Sequence, residues 1–189
     1  VKHLLAEIKK CTVCLHHLEN GVNPVLSASP KSKIAIIGQA PGSVVHRTGI
    51  PWDDKSGERL RGWMNVDSDQ FYNPDIFGII PMGFCYPGKG KSGDLPPRKE
   101  CAPLWHKQLF EKMNNLDLIL LIGQYAQQYY LENERKRTLT ETVNHFEEYL
   151  PKYLPLPHPS PRNNIWLKKN DWFEQVVVPR LQAEVHKYL

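Results

Sequence analysis

No stretch of this 189-residue sequence is apolar for long enough to cross a bilayer, so a membrane-spanning protein is not expected. No internal repeat and no low-complexity tract is present, which sets aside solenoids and disordered tails. The N-terminal stretch VKHLLAEIKK is charged throughout and lacks the apolar centre of a secretory signal. A cytoplasmic protein is therefore expected, and in reducing cytosol its four cysteines are not expected to form structural disulfides. The glycine turn Gly38-Gln39-Ala40-Pro41-Gly42 lacks the Gly-Lys-Ser/Thr ending of a P-loop. It also lacks the spaced glycines of a dinucleotide fingerprint.

What is present fits one soluble domain spanning residues 1–189. The 41% hydrophobic and 23% charged residues are enough for a proper core and a wetted surface. The net charge of +4 is compatible with nucleic-acid contact and does not demand it. The sixteen prolines cluster at 81–103 and 151–161 among apolar and aromatic residues, so they read as ordered loops.

Residues 2–10 have a helical pattern, and 18–33 read as a loop. Ile34–Ile37 is a continuous β-branched run between breakers and reads as a buried strand. Gly38–Gly49 reads as one long loop, and Ser56–Met64 as a helix with Leu60, Trp63 and Met64 on one side. Phe77–Met82 is strand-like, with Pro81 ending it early or placing it at an edge. A glycine, proline and lysine-rich loop fills 83–99. Cys101–Asn114 and Gln124–Glu132 read as helices around a buried strand at Leu116–Ile122. Thr140–Tyr149 is weakly helical, Tyr153–Leu156 a short strand, and Asn170–Tyr188 a final helix that Pro179 interrupts. Strands alternating with helices favour a three-layer α/β/α domain around a parallel sheet.

In such sheets ligands bind beyond the carboxyl ends of the strands. The turn Gly38–Gly42 follows one strand and the loop His158–Asn163 follows another. They are expected to form two lips of one cleft. His158, held between prolines, is suited to donating a hydrogen bond to a polar leaving group, and Ser160 with nearby amides to holding a phosphate. Arg162 is suited to a phosphate contact or to wedging between bases. Asp53 and Asp54 have two readings, one as carboxylates that orient water and one as helix caps. Trp52 either stacks on a flat ligand or fills the core. Lys89, Lys91, Arg98 and Lys99 suit a loop that tracks a phosphate backbone, and equally a solvated loop.

Cys11 and Cys14 form a tight pair, and Cys85 and Cys101 a looser one. Two pairs can place four thiolates at one point, which suits zinc or an iron–sulfur cluster. A redox Cys-x-x-Cys pair and four unrelated thiols are the other readings.

Several motifs occur together in one order. They are CTVC (11–14), GQAPG (38–42), RTGIPWDDKSG (47–57), FCYPG (84–88), Cys101, LLIGQYA (120–126) and HPSPRN (158–163). In these the chain resembles the uracil-DNA glycosylase superfamily over nearly its whole length, and especially its iron–sulfur-containing bacterial and archaeal branch. HPSPRN is most similar to the second motif of the single-strand-selective glycosylases. The resemblance implies a central four-stranded parallel sheet, base flipping and hydrolysis of the base–sugar bond. It implies a [4Fe–4S] cluster on Cys11, Cys14, Cys85 and Cys101, ahead of zinc.

It also implies that Gly38, Gln39, Ala40, Pro41 and Gly42 shape the base pocket and that Trp52 stacks on the base. Asp54 then serves as the catalytic carboxylate and His158 stabilises the departing base. Ser160, Pro161, Arg162 and Asn163 contact DNA, with Arg162 filling the gap in the stack. The chain departs from the family at two positions. Gln39 stands where one group has a glutamate, and Pro81 stands where a uracil-reading asparagine is usual. These departures widen the expected lesions from uracil to hypoxanthine and xanthine. A monomeric, monofunctional glycosylase of base excision repair is expected. A DNA-binding member without hydrolysis, a member that captures the sugar covalently through His158, and an iron–sulfur or zinc structural or redox module are the alternatives.

Overall fold

The strand Ile34–Ile37 (β1) carries four aliphatic side chains, none of which reaches solvent. Such a strand is stable only between two covered faces. In the computed structural model, which describes all 189 residues, β1 is the second strand of a four-stranded sheet. Phe77–Ile79 (β2) and Leu118–Ile122 (β5) flank it, and Tyr153–Leu156 (β6) lies outside β5, giving the order β2-β1-β5-β6. All three pairings are parallel, with Ile36 level with Ile79 and Leu120.

Because successive side chains alternate across a strand, β1 feeds two cores. Ile34 and Ile36 join Leu118, Leu120 and Ile122 on one face. There they meet Leu60, Trp63 and Met64 of helix α3 (Lys55–Met64), Val143 of α7 (Leu139–Asn144), and Leu181 and Val185 of α9 (Val178–Val185). Ala35 and Ile37 face the other way with Ile119 and Leu121. They meet Leu4 and Ile8 of α1 (Lys2–Lys9), Ala102 and Leu109 of α5 (Cys101–Phe110), and Ala126 and Leu131 of α6 (Gln124–Leu131). The result is the expected three-layer α/β/α arrangement. Truncating a fully buried residue such as Ile36 to alanine costs about 2–5 kcal/mol.

Several boundaries differ from the sequence reading. The loop expected at Gly38–Gly49 contains a helix, α2 (Ser43–Thr48), which Gly49 ends in the left-handed region at φ +72°. Six residues with two valines give no readable period. A one-turn helix, α4 (Ser68–Phe71), was also illegible, although Asp67 and Gln70 form a capping box around it. The loop at 83–99 folds into a small hairpin, Lys89–Gly90 (β3) with Gly93–Asp94 (β4). The strand expected to reach Met82 stops at Ile79, at the sheet edge, as Pro81 foreshadows. The helix expected to reach Asn114 stops at Phe110.

The last segment departs most. A helix at Asn164–Lys169 (α8) precedes the predicted start at Asn170. A π-turn at Phe173–Val177 then runs into α9. Pro179 lacks an N–H and its ring crowds the preceding turn, and the wider π-turn makes room for it.

Candidate active site

The carboxyl ends of β1 and β6 open on one cleft of about 370 Å³. Gly38, Gln39, Ala40 and Pro41 form one wall, and His158, Ser160, Arg162 and Asn163 form the other. The two predicted lips therefore border the same cleft. Trp52, Asp54, Pro81 and the β4 hairpin strand complete its lining. Gly42 sits just outside, at the N-terminus of α2, and Asp53 points to solvent and does not line the cleft.

Trp52 has φ +57°, a region that costs a bulky residue about 1–3 kcal/mol. Three contacts hold it there. A Cβ on Gly38 would lie 2.8 Å from its indole, and one on Gly57 would lie 1.8 Å from its carbonyl oxygen. Only glycine permits either approach. Arg61 of α3 donates to the same carbonyl at 3.3 Å. The indole in turn faces the His158 ring, with centroids 5.7 Å apart.

Asp54 is the N-cap of α3, and its Oδ1 accepts from the Gly57 amide at 2.8 Å. The capping reading of its sequence position is therefore realised. The same carboxylate also borders the cleft and lies near enough to His158 to favour its charged form. Burial acts more strongly and pushes the His158 pKa below its ordinary value. The imidazole is thus neutral near pH 7. Its Nδ1 accepts from the Ser160 amide at 3.2 Å, which puts the one ring proton on Nε2. His158 therefore offers a neutral N–H donor.

The loop around His158 is stiff because its polar groups bond one another. Asn163 Nδ2 donates to the His158 carbonyl at 2.7 Å, and Ser160 Oγ accepts from the Arg162 amide. Arg59 of α3 donates to the Ser160 carbonyl at 3.3 Å. Pro161 opens a 3₁₀ turn and does not border the cleft. The Arg162 guanidinium lies back over the hairpin tip and donates to the Ser92 carbonyl at 3.1 Å.

Three contacts at or behind the cleft were not legible in the sequence. Asp94 reaches the cleft from the hairpin, with Tyr86 OH donating to it at 3.5 Å. Gln39 Nε2 donates weakly to the Leu95 carbonyl. The third contact is that of His106, 2% exposed, whose Nε2 donates to the Pro81 carbonyl at 3.1 Å while Nδ1 accepts from Tyr130 OH. Burial pushes its pKa down to about 4, so it stays neutral and holds the Pro81 carbonyl from behind the cleft. A lone histidine on a predicted helix gave no signal of this. Only the packing of α5 against α6 creates it.

The four cysteines are unbridged and line one small, nearly apolar cavity together with Phe84 and Arg98. No group of three or more histidine, cysteine or acidic side chains is set to hold a single metal ion. The thiols nevertheless sit in one another's field. Burial first, then neighbouring sulfurs, raise the pKa of Cys85, and those of Cys101 to about 12. The Phe84 amide donates to Cys101 Sγ at 3.4 Å, and Cys14 Sγ donates to the Glu100 carboxylate at 3.8 Å, itself paired with Arg98. Four sulfurs lining one cavity, with Cys101 already receiving an N–H donor, fit a group that carries its own bridging atoms.

A family model described as the Uracil DNA glycosylase superfamily matches residues 27–182. A curated relative, the type-4 uracil-DNA glycosylase of Thermotoga maritima, is 24% identical over 156 residues. These cover 81% of this chain and 78% of the relative.

Proposed function

The chain belongs to the uracil-DNA glycosylase superfamily, and on that premise we propose that it flips a deaminated base out of DNA and hydrolyses its N-glycosidic bond. The observation that carries this reading is the meeting of Asp54 and a neutral His158 in one cleft beside the Gly38–Pro41 turn. The base stacks against Trp52. As the C1′–N bond breaks, its electron pair leaves with the base and the sugar becomes cationic. His158 Nε2–H donates to the oxygen on which the base's charge collects, and Asp54 faces the cation and orients the attacking water. Water adds its oxygen to C1′, and the proton it releases passes through solvent to the base anion, leaving an abasic site and the neutral free base. The reaction is that of a monofunctional glycosylase in base excision repair.

Uracil is the first substrate to test. Gln39 offers both a donor and an acceptor, and Pro81 presents no amide to the base edge. These two residues favour a range that includes hypoxanthine and xanthine. Because Nε2 carries the proton, His158 presents no lone pair to the sugar, which supports hydrolysis over covalent capture. Cys11, Cys14, Cys85 and Cys101 would hold a [4Fe–4S] cluster, which would organise the 86–101 loop and take no part in bond breaking. That all four thiols line one small cavity supports a shared group there.

The test is a panel of oligonucleotides bearing uracil, hypoxanthine or xanthine, in single and double strands, scored for abasic sites. Cleavage of none of them, by protein shown to bind DNA, would replace this reading with that of a DNA-binding member without hydrolysis.

A further inference from the structure

A second groove opens at the same edge of the sheet, with a volume of about 620 Å³. Pro87 and Leu95 line both it and the cleft, so one thin wall separates the two. Its far side is the first turns of α6, which begins where β5 ends, and presents Tyr125 and Tyr129. Tyr129 is 39% exposed and Leu95 43%. Tyr130 and His106 brace the Tyr129 ring through near-perpendicular contacts and still leave that exposure. The rim carries His17, Arg98 and Lys99, and no acidic residue lines the groove. Arg98 is paired with Glu100, whereas Lys99 has no ion pair.

We propose that this groove is a stacking subsite for unpaired nucleotides of the strand that carries the extruded base. The inference rests on the DNA-glycosylase reading. An unpaired nucleotide offers a flat apolar face and an anionic backbone, and the groove answers each with an aromatic face and a cationic rim. Pro87 and Leu95 border both openings, so one strand crossing over that wall reaches both. A proline-rich peptide would also suit tyrosines and prolines. It would gain nothing from a rim of one charge sign or from the adjoining cleft.

The test compares three fluorescent uracil oligonucleotides by anisotropy. One has two nucleotides on each side of the uracil, and the others add ten thymidines on the 5′ or the 3′ side. The extension on one side is expected to tighten binding by at least about fivefold. Tyr129→Ala should remove that gain, leave binding and cleavage of the short oligonucleotide unchanged, and keep the melting temperature. Tyr129→Phe should restore the gain. Lys99→Gln should flatten the salt dependence of the long oligonucleotide by about 0.7 in log–log slope. No gain from either extension, equal weakening of short and long oligonucleotides by Tyr129→Ala, or displacement by a proline-rich peptide but not by oligothymidylate would overturn the proposal. Binding that depends on the extension without any cleavage would leave the subsite standing and remove the glycosylase reading.

Discussion

Asp54 is asked to do two jobs, and two substitutions separate them. As the N-cap of α3 it accepts from the Gly57 amide at 2.8 Å. Asparagine caps as well as aspartate, so Asp54→Asn should keep stability within a few tenths of a kcal/mol. Alanine has no acceptor and should cost about 1 kcal/mol, or about 2–4 °C in melting temperature for a chain of this size. In the cleft, by contrast, asparagine carries no charge to set against the cationic sugar. Losing one such preorganised group typically slows chemistry about 10²–10³-fold. Both variants should therefore show that loss in single-turnover cleavage of a uracil oligonucleotide, while only the alanine variant melts early. The asparagine variant should also shift in pH. The Asp54 carboxylate raises the His158 pKa against burial, so removing it lowers that value further. Residual activity, which needs neutral His158, should then persist to lower pH than in the wild type. An unchanged single-turnover rate for Asp54→Asn would refute the catalytic assignment. Equal destabilisation by asparagine and alanine would refute the capping geometry.

Further outcomes follow from the same geometry. Gly57→Ala should destabilise by about 1–3 kcal/mol and slow cleavage, because its Cβ meets the Trp52 carbonyl. A gain of about 1 kcal/mol in a urea titration, as helix propensity alone would give, would refute the close approach. His106 binds a proton more weakly folded than unfolded. Its stability contribution is full above about pH 6.5 and is lost as pH falls towards about 4, a loss of about 3 kcal/mol. Urea midpoints from pH 7 to 4 should fall accordingly, and His106→Gln should flatten the slope; an unchanged slope would remove His106 as its source. Purified protein should contain iron and acid-labile sulfide with visible absorbance, and Cys85→Ser should lose both. Stoichiometric zinc without iron would overturn the cluster assignment.

The central architecture was readable because it rests on strong local signals. Ile34–Ile37 and Leu118–Ile122 are uninterrupted aliphatic runs with breakers at their ends, and the helices between them force parallel pairing. The two cleft lips were readable for the same reason, since each follows such a strand. What escaped were features made only by tertiary contact. Helix α2 is too short for a period, and the β3–β4 hairpin has two-residue strands. The backward course of Arg162 depends on where that hairpin tip lies. The His106–Pro81 bond joins residues 25 apart in sequence and needs the packed sheet face to exist.

The helix α3 explains why so few side chains suffice to build the cleft. Within its first two turns lie Asp54 as its cap, Gly57 beneath the Trp52 carbonyl, Arg59 on the Ser160 carbonyl and Arg61 on the Trp52 carbonyl. One rigid element therefore sets the Trp52 indole, the Asp54 carboxylate and the loop bearing the neutral histidine. Its apolar side, Leu60, Trp63 and Met64, is anchored in the core under β1. The strain at Trp52 is sustained because Gly57 and Arg61 act on the same carbonyl from the same helix. A change that moves α3 should therefore shift Trp52 and His158 together, and cleavage should fail before the fold does. A core variant such as Leu60→Ala tests this order of events. At temperatures where it remains folded, its cleavage rate should drop further than its fraction folded, and a rate that simply tracks the folded fraction would show that the two lips are set independently.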